Sequence, residues 1–131
     1  MARASANAED NALVGMISGA GGTYTGSAAY FSLHSTDPGT TGAAEISGGA
    51  PAYARVSITW GTPAAGSVAN TNTLTLNVAA STTVAYFGTY GAASGTGTGG
   101  YQIGGALNAS VTFPSQGTLT VASGGLTVTA S

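Results

Sequence analysis

The chain has 131 residues, of which 43 % are apolar and only 5 % charged, where an ordinary soluble domain carries about 25 % charged residues. That length and apolar content suit one domain with one core and argue against a disordered polar segment. Two arginines and no lysine cannot supply the counterion release that drives nucleic-acid binding, no apolar run approaches the roughly 20 residues of a membrane span, and without cysteine there is no disulfide framework, thiolate chemistry or Cys-based metal site.

The opening Met1-Ala2-Arg3-Ala4-Ser5 lacks the charged-then-apolar order of a signal peptide. Ser5 to Ser18 reads as a helix: Ser5 or Asn7 can cap it, Glu9 and Asp10 sit where the macrodipole favours anions, and Gly19 can end it. Its apolar residues Leu13, Val14, Met16 and Ile17 gather toward the C-terminal end and form a candidate interface. This helix either packs on the edge of its own domain or is an arm that docks on a neighbouring subunit. Gly19-Ala20-Gly21-Gly22 is a flexible break, so residues 1–22 are read as an arm and residues 23–131 as a β domain.

Beyond the break the texture is that of strands. Ala28 to Ser35 is a first strand, followed by a long Gly-, Thr- and Pro-rich loop from Thr36 to Pro51. Tyr53 to Trp60 alternates, with Ala54, Val56, Ile58 and Trp60 expected on the inner face, and Thr73 to Val78 repeats the pattern with Leu74, Leu76 and Val78. Thr83 to Tyr90 carries large residues on both faces. Ala92 to Gly100 is a Gly/Ser/Thr tract read as a mobile loop. Tyr101 to Leu107, Ser110 to Phe113, Thr118 to Val121 and Leu126 to Thr129 complete the set, with Ser123-Gly124-Gly125 as a hairpin turn between the last two. About eight short strands at such spacing predict an all-β fold, an antiparallel β-sandwich of Ig-like or jelly-roll-like form with a short N-terminal helix.

Candidate chemistry is sparse. The one histidine, His34, lies near serines and Asp37, but no Gly-x-Ser-x-Gly elbow is present and triad members come from separate elements. No catalytic residue, metal site or cofactor is expected. His34, Asp37 and Glu45 could converge on a cation, yet Asp37-Pro38-Gly39 is turn chemistry and the spacing matches no calcium loop. Arg55, mid-strand in a chain almost without charge, is expected to pin the adjacent loop by a bidentate bond to Asp37 or Glu45. Trp60 and the six tyrosines invite a sugar-stacking reading, set against the commoner use of strand aromatics in the core.

The segment Ala29-Tyr30-Phe31-Ser32-Leu33-His34-Ser35-Thr36-Asp37-Pro38-Gly39, followed by Glu45, Ser47-Gly48-Gly49 and Tyr53-Ala54-Arg55-Val56, resembles a family of small tailed-bacteriophage structural proteins. Val84-Ala85-Tyr86-Phe87-Gly88 and Gly104-Gly105-Ala106-Leu107 are similar to it as well. The resemblance implies a virion component (tail-fibre, minor tail or head-associated) with His34, Asp37, Glu45 and Arg55 as a loop-fixing network. Neither heptads nor a shaft-like repeat is visible. A compact module with so little charge therefore reads first as a capsid decoration protein bound to coat subunits at the particle surface. The alternative is a minor tail or fibre protein that contacts host carbohydrate. The expected partners are major capsid or tail proteins and further copies of the chain; the family analogy suggests a trimer.

Overall fold

The computed structural model describes residues 3–4, 28–62, 67–95 and 100–129. The expected helix from Ser5 to Ser18, with Leu13, Val14, Met16 and Ile17, lies outside the described residues, as do positions 96–99 of the Gly/Ser/Thr tract. Among the described residues there are nine strands: β1 Arg3–Ala4, β2 Tyr30–His34, β3 Val56–Ser57, β4 Ser67–Ala69, β5 Leu74–Val78, β6 Thr82–Tyr90, β7 Tyr101–Phe113, β8 Gly117–Val121 and β9 Thr127–Thr129. The fold is all-β and every pairing is antiparallel. One sheet of five strands runs β1-β7-β6-β2-β3, and two ribbons, β4-β9 and β5-β8, accompany it.

Alternation along the strands builds the core. Leu74, Leu76 and Val78 of β5 point one way and are buried, while Thr75 between them is exposed. They meet Phe31 and Leu33 of β2, Val84 and Phe87 of β6, and Ile46, Ile58 and Leu126 from flanking segments in one cluster. Phe31 and Phe87 stack with ring centroids 5.8 Å apart. The β5-β8 ribbon thus packs its apolar residues into the same core as the sheet.

Four expectations give way to the structure. The strand expected over Tyr53 to Trp60 shrinks to Val56–Ser57, with Trp60 forming an isolated bridge to Asn70. The alternation fails at its start, where Ala54 is exposed and Tyr53 and Arg55 are turned inward toward polar partners. Trp60 is half-buried at the margin of the core, its indole N–H donating to Ala28 O at 2.7 Å. The two strands expected between Tyr101 and Phe113 are one, because Asn108 and Ala109 continue it through an irregularity. From Val84 to Tyr86 β6 advances two residues while β7 spends five, Val111 to Ala106. A second shift lies between Gly88 and Tyr90, where the Thr89 hydroxyl accepts from Ile103 N–H and donates to Ile103 O, both at 3.1 Å, and so satisfies the groups the ladder misses.

The expected closing hairpin is absent as a pairing. Gly124, at φ 79°, does make the turn, but β8 pairs with β5 and β9 with β4. Asn70 explains the divergence: buried beside β4, it takes Leu126 N–H on its Oδ1 at 2.9 Å and gives its Nδ2 to Ala122 O and Asn72 O. These bonds draw the chain after β8 toward β4, the strand that had no signal in the sequence.

Leu76 and Thr75 offer a direct check. Leu76→Ala should cost about 2–5 kcal/mol in chemical denaturation, while Thr75→Ala on the opposite face should stay within about 0.5 kcal/mol of the parent.

Candidate functional site

β2 is buried on both faces. Its odd residues enter the core, while Ser32 and His34 point to the other side of the sheet and are nonetheless fully buried. What covers them is the loop that follows. His34 bridges Glu45, Ile46 N–H donates to Leu33 O and Ser35 N–H to Ala44 O, each at 3.0 Å, so residues 35–45 fold back as a closed loop over the sheet. Within it, Asp37 Oδ1 accepts from Gly39 N–H at 2.8 Å, and Pro38 O accepts from Gly42 and Ala43 N–H.

His34 is spent on this closure. Its Nδ1 lies 2.6 Å from Ala43 O and its Nε2 2.9 Å from Ser32 Oγ. A carbonyl only accepts, so Nδ1 carries the proton and Nε2 accepts from the Ser32 hydroxyl. Burial holds the imidazole pKa below its ordinary 6.5; the Ala43 bond and the Glu45 charge oppose that shift, and the Arg55 charge adds to it.

Arg55, just before β3, ties three segments together. Its Nε and one terminal nitrogen donate to Glu45 Oε1 and Oε2 at 2.8 and 2.7 Å, a bidentate pair with side chains 7 % and 22 % exposed. The other terminal nitrogen donates to Ala92 O at 3.0 Å and Gly95 O at 2.7 Å. The guanidinium carbon sits 3.4 Å from the centroid of the Tyr90 ring, a cation–π contact. Burial alone would raise the Glu45 carboxyl, but hydrogen bonds from Arg55 and Tyr53 and the Arg55 charge together hold it below its ordinary value. Tyr53 spans to the sheet: its hydroxyl donates to Glu45 Oε1 at 2.8 Å and accepts Leu33 N–H at 3.1 Å, standing in for a strand carbonyl where β3 has ended. Burial, with the Glu45 bond and charge, pushes the Tyr53 phenol far up.

Aromatic rings complete the cluster. Tyr90 lies nearly parallel to His34 at 6.5 Å and edge-on to Tyr101 at 5.5 Å, and its hydroxyl donates to Gly42 O at 2.9 Å. The packing leaves no room for side chains at two glycines. A Cβ on Gly88 would meet the Tyr101 ring, His34 Nε2 and Ser32 Oγ within 3.0 Å, and one on Gly42, at φ 78°, would overlap the Tyr90 hydroxyl.

The structure therefore brings His34, Glu45 and Arg55 into one network. The guanidinium forks to Glu45, while Asp37 serves the turn at the exposed start of the loop. Tyr53, Tyr90, Tyr101 and Ser32 are members that residue pattern did not single out. The one available signal was the excess of large residues on both faces of the strand ending at Tyr90. Chemically, the imidazole has both nitrogens engaged and the carboxylate both oxygens, an arrangement that holds shape and leaves neither group aimed at a substrate. The aromatic rings among the described residues are buried or half-buried.

Two outcomes follow from this wiring. Arg55→Ala should destabilise by about 3 kcal/mol, since it strands a partly buried carboxylate. Arg55→Lys should restore only part of that, and a cycle with Glu45→Ala should show a coupling of about 1–3 kcal/mol by denaturant titration. For pH, both depressed groups act in the same direction, because the unfolded chain binds protons that the folded chain refuses. Stability should fall as pH drops below 6.5, the ordinary histidine value, and fall again below 4.5, the ordinary glutamate value. His34 is the chain's sole histidine, so His34→Gln should lower the denaturation midpoint at neutral pH and flatten its slope between about pH 7 and 5.

Comparison with known proteins gives one family. The family model described as Podophage GP4 fiber I protein gp80 matches residues 4–129, nearly the whole chain and all of this site. No curated protein matches.

Proposed function

The chain belongs to the Podophage GP4 fiber I protein gp80 family, a phage virion structural family, and from that premise we propose that it is a non-catalytic fibre subunit presenting the loop region 35–52 as a preformed contact surface. The observation that carries the proposal is the double burial of β2. A loop that could have stayed loose is held by a histidine, an ion pair and two tyrosines, all beneath it. Its outer side meanwhile offers Thr36, Thr40, Thr41 and Ser47 to solvent. A surface fixed in advance loses little entropy when a partner binds, which favours a rigid scaffold under a contact loop.

The membership favours a fibre over the decoration of coat subunits. In this reading the five-stranded sheet and its two ribbons are the two layers of an open β-sandwich. The contacts of the loop are polar and nearly uncharged, which suits a neutral partner such as the glycan or protein coat of a host cell.

Two measurements test it. Gold-labelled antibody against the protein should decorate fibres on intact particles; label spread over the head would return the decoration reading. Purified protein should compete with phage adsorption to host cells. The double variant Thr40→Arg/Thr41→Arg should lose that competition while keeping its unfolding midpoint within about 0.5 kcal/mol of the parent's stability. Undiminished competition would remove the loop from the contact.

A further inference from the structure

The core stays open along one seam. β7 belongs to the five-stranded sheet and β8 to the β5-β8 ribbon, and the two strands do not pair. Between them runs a groove of about 490 Å³, lined by Leu107, Leu119, Val121 and Leu126, with Phe31 and Phe87 also reaching it. Leu107, Leu119 and Val121 pack against the core cluster and yet are only half-buried. None of the described residues that line the groove is charged.

Both ends of the stretch 5–27 open near this seam. Ala4 of β1 stands opposite Ile103, a half-buried residue that shares a face of β7 with Leu107 by strand alternation. Leu107 lies about 13 Å further along that strand at roughly 3.3 Å per residue. At the other end, Ala28 O accepts the Trp60 indole N–H just before β2 begins, and Phe31 of that strand reaches the groove. In the sheet β1 and β2 are separated by β7 and β6, so the two ends stand about 14 Å apart. Fully extended, residues 5–27 would span about 75 Å. The stretch therefore has the length to run along the groove and return.

We infer that the apolar cluster Leu13, Val14, Met16 and Ile17 of this same chain docks in the groove and closes the seam between β7 and β8. These positions recur at spacings of three and four, which puts them on one face of a helix. β1 runs antiparallel to β7, so the chain leaves Ala4 heading away from Leu107, and a helix capped at Asn7 reverses that direction. At about 1.5 Å per residue, Leu13 to Ile17 stand about 9–15 Å from Asn7, the same reach that separates Leu107 from Ile103. Glu9 and Asp10 fall one turn before the cluster, and no charged residue occurs from Asn11 to Ser27, so an uncharged face meets an uncharged groove. Two arrangements were open to this helix, an arm on a neighbouring subunit or a helix packed on its own domain. Connectivity favours the second, because the tether holds the cluster at the seam at an effective concentration that a separate copy does not match. The groove is a different surface from the loop over β2, and the inference stands whatever that loop contacts.

Met16 makes the test direct, since a thioether oxidises readily only where peroxide reaches it. In the whole chain Met16 should be oxidised about tenfold or more slowly than free methionine, read by peptide mass spectrometry. Leu107→Asp, which sets a charge on the groove wall, should bring Met16 close to the free rate while circular dichroism keeps its strand signal. Thr75→Asp, on the exposed side of β5, should leave the protection in place. Should Leu107→Asp fail to fold, methyl NOEs in the unmodified protein decide: Leu13 and Ile17 should show contacts to Leu107, Leu119 and Val121. A mixture of differently labelled copies assigns those contacts to one chain. Met16 as reactive as the free amino acid, protection unchanged in a folded Leu107→Asp, or NOEs seen only between copies would overturn the inference.

Discussion

The guanidinium of Arg55 sits where three segments of chain would otherwise drift apart. It forks to Glu45 in the loop after β2, takes the carbonyls of Ala92 and Gly95 after β6, and lies on the Tyr90 ring that forms the end of β6. In a chain with so few charges, this pair is not one of many interchangeable surface contacts. A charge pair drawn partly out of water contributes little net stability, since desolvation offsets most of its attraction, but the loss of either partner is costly. Its main effect is therefore geometric: it selects one arrangement of the loop from the many that a Gly- and Thr-rich segment could adopt.

That arrangement changes what the sheet is. Antiparallel sheets commonly put one face on the core and leave the other to water. Here the second face of β2 and β6 is also closed, not by another sheet but by a folded loop, and so its contents are polar and aromatic. Polar groups closed beneath the loop need partners, as buried polar groups generally do. His34 uses both nitrogens, Tyr53 both gives and takes at its hydroxyl, and Tyr90 reaches Gly42. The same packing makes Gly42 and Gly88 obligatory, because the rings occupy the space a side chain would need. A neutral histidine in this position also makes the loop sensitive to acid, for the proton it excludes when folded is one it accepts when unfolded.

The scarcity of charge has a separate consequence for the rest of the chain. Everything after Arg55, including β4 to β9, is uncharged, so the ribbons and the long strand β7 meet their surroundings through threonine, serine, asparagine and alanine. Such a surface gives little repulsion between copies.

The amino-acid sequence by itself determined the class of the fold and the strands that bury a single face. Leu74, Leu76 and Val78 are legible because strict alternation has one physical reading, and the Arg55–carboxylate pairing is legible because a lone arginine near two acids has few alternatives. Strand partners were not legible. The chain after β8 turns at Gly124 as its glycines suggest, yet Asn70, far away in sequence, draws it to β4 and prevents the hairpin. Likewise Asn108 and Ala109 look like a break between two strands, and in the fold they are the place where a single strand shifts register against β6, between the paired Ala106 and Val111. Tyr53 and Arg55 break the alternation of their segment because their partners lie across the loop and not across a strand. Periodicity reports which side of a strand meets apolar matter. Which strand lies beside which, and what covers the second face, depends on contacts between residues distant in the chain, and those exist only once it has folded.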